Sequence, residues 1–208
     1  MTRGKFITLE GSEGVGKSTQ CRLLAKMISN ELGHELITTR EPGGCELGES
    51  VRSILLDREV PEMHKMTELL LLFAARSEHL DKVIIPALDA GTWVTCDRFT
   101  DASYAYQGGG RGIDQQSIAA LETLVQQSLR PDLTIVLDLP VDVAFGRVEE
   151  RGTTDRFEQE RRSFFDRVRE IYIQRTRLHP SRMVLVDASP SIADVHQEIR
   201  RIVTERLT

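Results

Sequence analysis

Short apolar runs alternate along the chain with longer stretches in which apolar residues recur every three or four positions. The short runs predict buried strands over 6–9, 35–39, 93–96, 133–137 and 183–186. The periodic stretches predict a helix beginning near Lys17, a short helix with Val51, Ile54 and Leu55 inward, and helices over 67–90 (bent at Pro86), 114–127, 141–150, 158–178 and 192–207. The segment 100–112, rich in glycine and aromatic residues, predicts a loop with one helical turn. Strands alternating with helices indicate βαβ units, and therefore one α/β domain over 1–208 with three layers and a doubly wound, parallel, five-stranded sheet.

The junction between the first strand and the first helix carries a phosphate-binding pattern. Residues 11–18 read GSEGVGKS and fit G-x-x-x-x-G-K-[ST] at every defined position. The glycines let successive backbone N–H groups turn toward phosphate oxygens, and the helix N-terminus adds a partial positive charge. Lys17 can bridge the outer phosphates, and the Ser18 hydroxyl can hold Mg²⁺. The predicted nucleotide-binding residues are Gly11, Ser12, Glu13, Gly14, Val15, Gly16, Lys17, Ser18 and Thr19, which makes the chain a P-loop protein.

Composition narrows the partners. The 208 residues are 40% hydrophobic and 28% charged, as in an ordinary soluble globular protein, and the net charge of -5 argues against nucleic-acid or membrane-surface binding. Cys21, Cys45 and Cys96 form no C-x-x-C pair, which indicates reduced thiols in a cytoplasm and no zinc site. The longest apolar run, 69–75, is too short to span a bilayer, and we see no signal-peptide pattern.

A second set of cationic residues distinguishes this chain from other P-loop classes. Arg40, Arg76 and Arg98 are candidate anion contacts, and ligands of such sheets bind beyond the carboxyl ends of the strands. The sole asparagine is Asn30, so the guanine-reading N-K-x-D motif of a GTPase is absent, as are the paired acids of a motor ATPase. A second phosphorylated substrate, and hence phosphoryl transfer between nucleotides, is indicated. Asp97 beside Arg98 can orient that arginine or help to hold Mg²⁺, directly or through water, and a structural Asp–Arg pair is the alternative.

Several motifs together resemble those of the bacterial thymidylate kinase family: LEGSEGVGKST, TREPGG, LLLLFAAR, CDRF, YAYQGGGRG and DRFEQE. The resemblance runs from the first strand into the helix after Glu158. It implies a nucleoside monophosphate kinase fold and Mg²⁺-dependent transfer of the γ-phosphoryl group of ATP to dTMP, in dTTP synthesis. It also implies a homodimer, for which 69–75 is a possible interface. Another small-molecule kinase, such as a deoxynucleoside kinase, and a nucleotide-dependent switch remain alternatives.

The resemblance assigns substrate roles to single residues. Around the base and sugar the implied contacts are Phe73 stacking on thymine, Arg76 donating to a thymine carbonyl, Gln107 at the N3–H edge, Tyr106 crowding the 2′ position and Glu13 at the 3′-hydroxyl. Around the dTMP phosphate they are Arg98 and Arg40. For Phe73 a core position, and for Arg40 a surface role, stay open.

A lid is implied over 147–157. Some family members carry a catalytic arginine in the phosphate loop where this chain has Gly14, so Arg156 or Arg151 in the lid is expected to reach the transferred phosphoryl group. Arg147 is expected to stack on adenine. The predicted catalytic residues are thus Lys17, Arg98, Arg156 and Arg151, and the predicted metal ligands are Ser18 and Asp97. No general base is needed, because the attacking phosphate oxygen is already ionised.

Overall fold

A computed structural model describes residues 3–60, 63–149, 156–158 and 160–208. In this part of the chain the strands form one parallel sheet in the order β2-β3-β1-β4-β5. The strands are β1 (Phe6–Glu10), β2 (Leu36–Arg40), β3 (Trp93–Asp97), β4 (Leu133–Asp138) and β5 (Met183–Asp187). The register pairs Leu9 of β1 with Asp97 and with Ile135, so that the phosphate loop leaves the sheet beside the end of β3.

Helices cover both faces of the sheet. They are α1 (Lys17–Asn30), α2 (Glu46–Leu56), α3 (Lys65–His79), α4 (Ile85–Asp89), α5 (Thr100–Ser103), α6 (Gln115–Gln126), α7 (Val141–Glu149), α8 (Arg162–Leu178) and α9 (Ile192–Leu207). On one face Ile7 and Leu9 pack with residues of α1 and α9, while Phe6 packs on the other face with Ile84 and Leu88. This confirms the predicted three-layer α/β fold with a doubly wound, five-stranded parallel sheet. None of the described helices is long and apolar enough to cross a membrane.

The expected loop over 100–112 is mostly helical, which corrects the prediction. Helix α5 continues into a π-helical segment, Tyr104–Gly110, that packs along α8. A Cβ atom on Gly110 would lie 2.3 Å from the Phe164 ring, and one on Gly109 would lie 2.9 Å from the carbonyl oxygen of Arg167. These glycines therefore permit close helix packing, whereas the sequence pattern predicts a loop.

Three smaller expectations also change. The long helix over 67–90 adjusts before Pro86, because a π-helical turn, Leu80–Ile84, joins α3 to α4 and places the proline in the first turn of α4. In α2, Val51 and Leu55 are buried as expected, but Ile54 is 45% exposed. The helix expected from 158 begins at Arg162.

Candidate active site

The phosphate loop adopts a backbone that glycine makes possible. Gly11, Gly14 and Gly16 have φ of 131°, 74° and 93°, in the region that side chains disfavour. A Cβ atom on Gly14 would lie 2.3 Å from the carbonyl oxygen of Ala144, so the loop touches the backbone of α7. Val15 is buried in the core and anchors the loop. Helix α1 then begins without a side-chain cap, which leaves its first N–H groups available to an anion.

Lys17 folds back onto this loop. Its Nζ donates hydrogen bonds to the carbonyl oxygens of Gly11 (3.1 Å) and Ser12 (2.6 Å). Burial, and next the charge of Arg98, lower the pKa of Lys17 to about 8. A polyphosphate at the loop would bring negative charge next to this buried ammonium group and so stabilise its charged form.

Ser18 and Asp97 lie side by side at the mouth of the loop. The Ser18 hydroxyl donates to Asp97 Oδ2 at 3.2 Å, and the buried Asp97 Oδ1 has no hydrogen-bond partner within the described residues. A hydroxyl and a carboxylate are the hard oxygen donors that Mg²⁺ prefers, with phosphates and water completing its shell. The two residues predicted as metal ligands therefore fit the ion.

Arg98 connects the phosphate loop with the side chain of Tyr106. Its φ is 69°, a costly conformation for a residue with a side chain and one that clusters at functional sites. Its guanidinium group donates to the carbonyl oxygen of Gly11 (2.7 Å) and to Glu13 Oε1 (2.7 Å), and it lies 4.7 Å from the centre of the Tyr106 ring. The Tyr106 hydroxyl donates to Glu13 Oε2 at 2.5 Å. The structure thus brings together three of the predicted site residues: Glu13, Arg98 and Tyr106.

Two cavities meet at this cluster, and they share the residues Glu13, Glu41, Arg52 and Arg98. The first, here called the phosphate cleft, is lined further by Gly14, Gly16, Lys17, Ser18, Thr19, Arg40, Asp97, Arg147 and Glu158. Arg40 also pairs with Glu49 at 2.8 Å and is about half exposed. The predicted ATP and phosphate contacts therefore converge on one cleft, except that Gly11, Ser12 and Val15 do not line it.

The second, here called the base cavity, is lined by Arg76 and Gln107 together with apolar side chains such as Leu56, Leu72 and Phe157. Phe73 is absent from this wall, because it is 2% exposed and packs in a core cluster with Leu69 and Tyr104. The position of Phe73 gives its expected stacking role no support, and Leu72 lines the cavity instead.

Arg76 is held by a buried carboxylate that the sequence analysis missed. Its Nε donates to Glu41 Oε2 at 2.7 Å, and its Nη2 donates to the carbonyl oxygen of Phe99 (3.2 Å) and to Ser103 Oγ (3.1 Å). Its Nη1 is buried and has no hydrogen-bond partner among the described residues. A buried donor of this kind costs free energy unless a ligand accepts from it. The sequence signal was available, since an arginine inside an apolar run requires a nearby carboxylate.

Glu41 is fixed in turn by a histidine. His79 is fully buried, with Nδ1 3.1 Å from Glu41 Oε1 and Nε2 2.7 Å from the Thr39 hydroxyl. Because a carboxylate only accepts, Nδ1 donates to Glu41. His79 therefore holds Glu41 in place, and Glu41 in turn holds Arg76 at the wall of the base cavity.

Glu10 is a second missed residue. It is fully buried at the end of β1, where it accepts from the Phe99 N–H (2.7 Å) and from the Tyr172 hydroxyl (2.7 Å). Burial first, and the nearby charge of Asp101 next, raise its pKa to about 7. The bond to Phe99 fixes the backbone next to Arg98.

Of the expected lid arginines, Arg147 lines the phosphate cleft, whereas Arg156 does not. Arg156 donates through Nη2 to Glu68 Oε2 (2.6 Å) and through Nε to the carbonyl oxygen of Leu55 (2.8 Å), at the base end of the site. Arg151 lies outside the described residues, as does most of the expected lid over 147–157. Arg52, which we did not predict, lines both cavities and donates to the carbonyl oxygen of Pro42 at 2.8 Å.

Known proteins resemble this chain along nearly its whole length. A family profile described as thymidylate kinase matches residues 9–199. Proteins named thymidylate kinase are 53% identical in Chromohalobacter salexigens (100% of this chain, 98% of the relative) and 57% identical in Pseudomonas syringae pv. syringae (92% and 91%). The crystal structure of thymidylate kinase from Ehrlichia chaffeensis superposes with a TM-score of 0.77 at 34% identity, covering 97% of this chain and 99% of that one. The chain belongs to the thymidylate kinase family.

Proposed function

We propose that this protein transfers the γ-phosphoryl group of ATP to dTMP, producing ADP and dTDP for dTTP synthesis. The observation that carries the proposal is the pair of cavities that meet at Arg98. One has a phosphate loop with an adjacent oxygen-ligand pair. The other is lined by Gln107 and by Arg76, whose Nη1 is a buried donor with no hydrogen-bond partner in the described part of the chain. A phosphate donor and a phosphorylated pyrimidine acceptor would each find its own part of the site.

The phosphate loop and Lys17 would hold ATP, and Ser18 and Asp97 would hold Mg²⁺. Mg²⁺ bound there would neutralise phosphate charge as the phosphoryl group is transferred. The loop N–H groups and the start of α1 orient the phosphates, which is most of what phosphoryl transfer requires from a protein.

Arg98 would hold the dTMP phosphate, with Arg40 and Arg52 contributing charge from the same cleft. A guanidinium group can contact two phosphate oxygens at once and so fix the attacking oxygen. Glu13 would accept from the 3′-hydroxyl group, and Tyr106 would exclude a 2′-hydroxyl group by bulk. When dTMP binds, Glu13 and Tyr106 would lose their present contact with each other and form contacts with the sugar.

The remaining predictions concern the lid and the assembly. Arg156 would have to leave Glu68 to reach the phosphate cleft, and Arg147 already lines that cleft. The homodimer, the cytoplasmic location and the absence of nucleic-acid and membrane partners stay predictions from sequence and family.

The test is ADP formation from ATP and Mg²⁺ with dTMP, dUMP, dCMP, UMP or AMP as acceptor. We expect strong turnover with dTMP, weaker turnover with dUMP and very little with UMP. Arg98→Ala should abolish the stimulation by dTMP, whereas Arg201→Ala, at an exposed position on α9, should not change it. Turnover with deoxythymidine in place of dTMP would support a deoxynucleoside kinase. ADP formation at the same rate with and without an acceptor would support a nucleotide-dependent switch.

A further inference from the structure

Glu68 is a buried carboxylate for which the proposed chemistry has no use. It lies on α3 with a side chain that is 1% exposed, and it accepts hydrogen bonds from three side chains. Arg111 donates through Nε (3.2 Å) and Nη2 (3.3 Å), Arg156 through Nη2 (2.6 Å), and Gln107 through Nε2 (3.0 Å). The contact with Gln107 reaches the base cavity, because Gln107 lines it.

The contact with Glu68 determines which end of the Gln107 amide meets a ligand. A glutamine side chain has a donating end and an accepting end that differ little in shape, so the side chain alone could present either one. A carboxylate held by two guanidinium groups only accepts, so it selects the donating Nε2. Gln107 Oε1 makes no hydrogen bond to any described residue, and it is the end left for the cavity.

Arg76 completes a pattern of one donor and one acceptor. Arg76 lines the same cavity and is held in place by the bond from Nε to Glu41, and its buried Nη1 is a donor with no hydrogen-bond partner among the described residues. The Watson–Crick edge of thymine offers N3–H as a donor beside carbonyl acceptors, which complements this pattern. Cytosine offers an unprotonated N3 and an amino group, so it would place acceptor against acceptor and donor against donor.

We propose that Glu68 is a specificity-determining positioning residue, which holds the Gln107 amide with its oxygen toward the base and so makes the site reject cytosine. This inference rests on the proposed function, since it concerns the base of the acceptor nucleotide. The proposed positioning role of Glu68 differs from a purely structural role in one measurable way. Loss of a structural ion pair would weaken binding of every acceptor alike, whereas loss of amide orientation changes the ratio between bases.

The test is Glu68→Gln, assayed as kcat/KM for dTMP divided by kcat/KM for dCMP. A neutral amide at position 68 can donate or accept, so Gln107 becomes free to turn over and donate to cytosine N3. We expect the ratio to fall about tenfold to hundredfold, the factor associated with one hydrogen bond to a charged group. Arg76 still disfavours the cytosine amino group, so part of the discrimination should remain.

Glu160→Gln is the matched control. Glu160 contacts the same Arg111, carries the same charge and makes no hydrogen bond with the Gln107 side chain, which donates to Glu68. Its replacement should leave the ratio unchanged. A folded Glu68→Gln protein with the wild-type ratio would overturn the proposal, as would an equal fall in the control.

A measurement on the wild-type protein keeps the inference testable if Glu68→Gln fails to fold. In protein labelled with ¹⁵N-glutamine, the side-chain amide signal of Gln107 is identified by its loss in Gln107→Met. We expect slow exchange of these amide protons with solvent before and after dTMP is added, because they stay on the buried Glu68. Exchange as fast as that of an exposed glutamine would overturn the proposal. Wild-type protein that shows no turnover with dTMP would overturn the proposed function and this inference together, whereas an unchanged ratio overturns the inference alone.

Discussion

Replacing Glu10 with glutamine should remove a pH-dependent loss of stability that is built into the active site. Glu10 is completely buried, and burial followed by the charge of Asp101 raises its pKa from an ordinary 4.5 to about 7. The hydrogen bonds from Tyr172 and Phe99 and the charge of Arg98 act in the opposite direction but do not cancel this effect. Between pH 4.5 and about 7 the folded protein therefore keeps a proton on Glu10 that the unfolded chain has released.

Proton linkage sets the sign and the size of this change in the free energy of unfolding. Between pH 4.5 and about 7 the folded state binds more protons than the unfolded state, so the free energy of unfolding falls as the pH rises through this window. The loss is complete above about pH 7 and absent below about pH 4.5. It amounts to about 3 kcal/mol, since each pH unit between the two pKa values contributes about 1.4 kcal/mol.

Glutamine can replace the protonated carboxyl group at this position. Its oxygen can accept from the Phe99 N–H, and its amide can donate to the Tyr172 hydroxyl, which is able to accept. Glu10→Gln should therefore match the wild-type stability near pH 4.5 and exceed it by up to about 3 kcal/mol at pH 8. In a protein of this size that difference raises the melting temperature by roughly 6 to 12 °C.

The assay is urea unfolding of both proteins at constant ionic strength from pH 4.5 to pH 8. Subtracting the two curves removes the contribution of every other titrating group, and only that of Glu10 remains. Glu205→Gln, at an exposed position on α9, should stay within about 0.5 kcal/mol of the wild type at every pH. Parallel curves for Glu10→Gln and the wild type, or a variant that loses stability as the pH rises, would refute the reasoning.

Three further predictions concern the phosphate cleft. Because the pKa of Lys17 is lowered to about 8, ATP binding at pH 8 should take up about half a proton, measured by calorimetry in buffers of different ionisation enthalpy; zero uptake would contradict this. Asp97→Asn should raise the Mg²⁺ concentration needed for half-maximal activity by about tenfold, because Oδ1, which has no hydrogen-bond partner among the described residues, is no longer anionic; an unchanged Mg²⁺ titration would remove Asp97 from the metal site. Gly14→Ala should lower the melting temperature more than Gly33→Ala, since both have a positive φ but only Gly14 faces the backbone of Ala144; equal losses would mean that the loop has room to move.

The sequence alone determined the order of the elements and the location of the nucleotide site. The phosphate loop depends on residues within eight positions of each other, so its glycines, Lys17 and Ser18 could be assigned without knowledge of the rest of the chain. The parallel sheet followed from the alternation of strands with helices, and it placed Arg98 and Asp97 at the same edge as the loop. Local patterns fix local geometry, because the groups concerned are joined by short lengths of backbone.

Tertiary structure decided what holds the site in place. Arg76 meets Glu41 across 35 positions, Gln107 meets Glu68 across 39, and Phe99 meets Glu10 across 89. Which of the 32 acidic residues pairs with a given group depends on how helices pack on the sheet, and a single sequence does not contain that distance information. The same reason explains why Gly109 and Gly110 predict a loop from the sequence alone. Their function is to let two helices approach closely, and the contact exists only after the chain has folded.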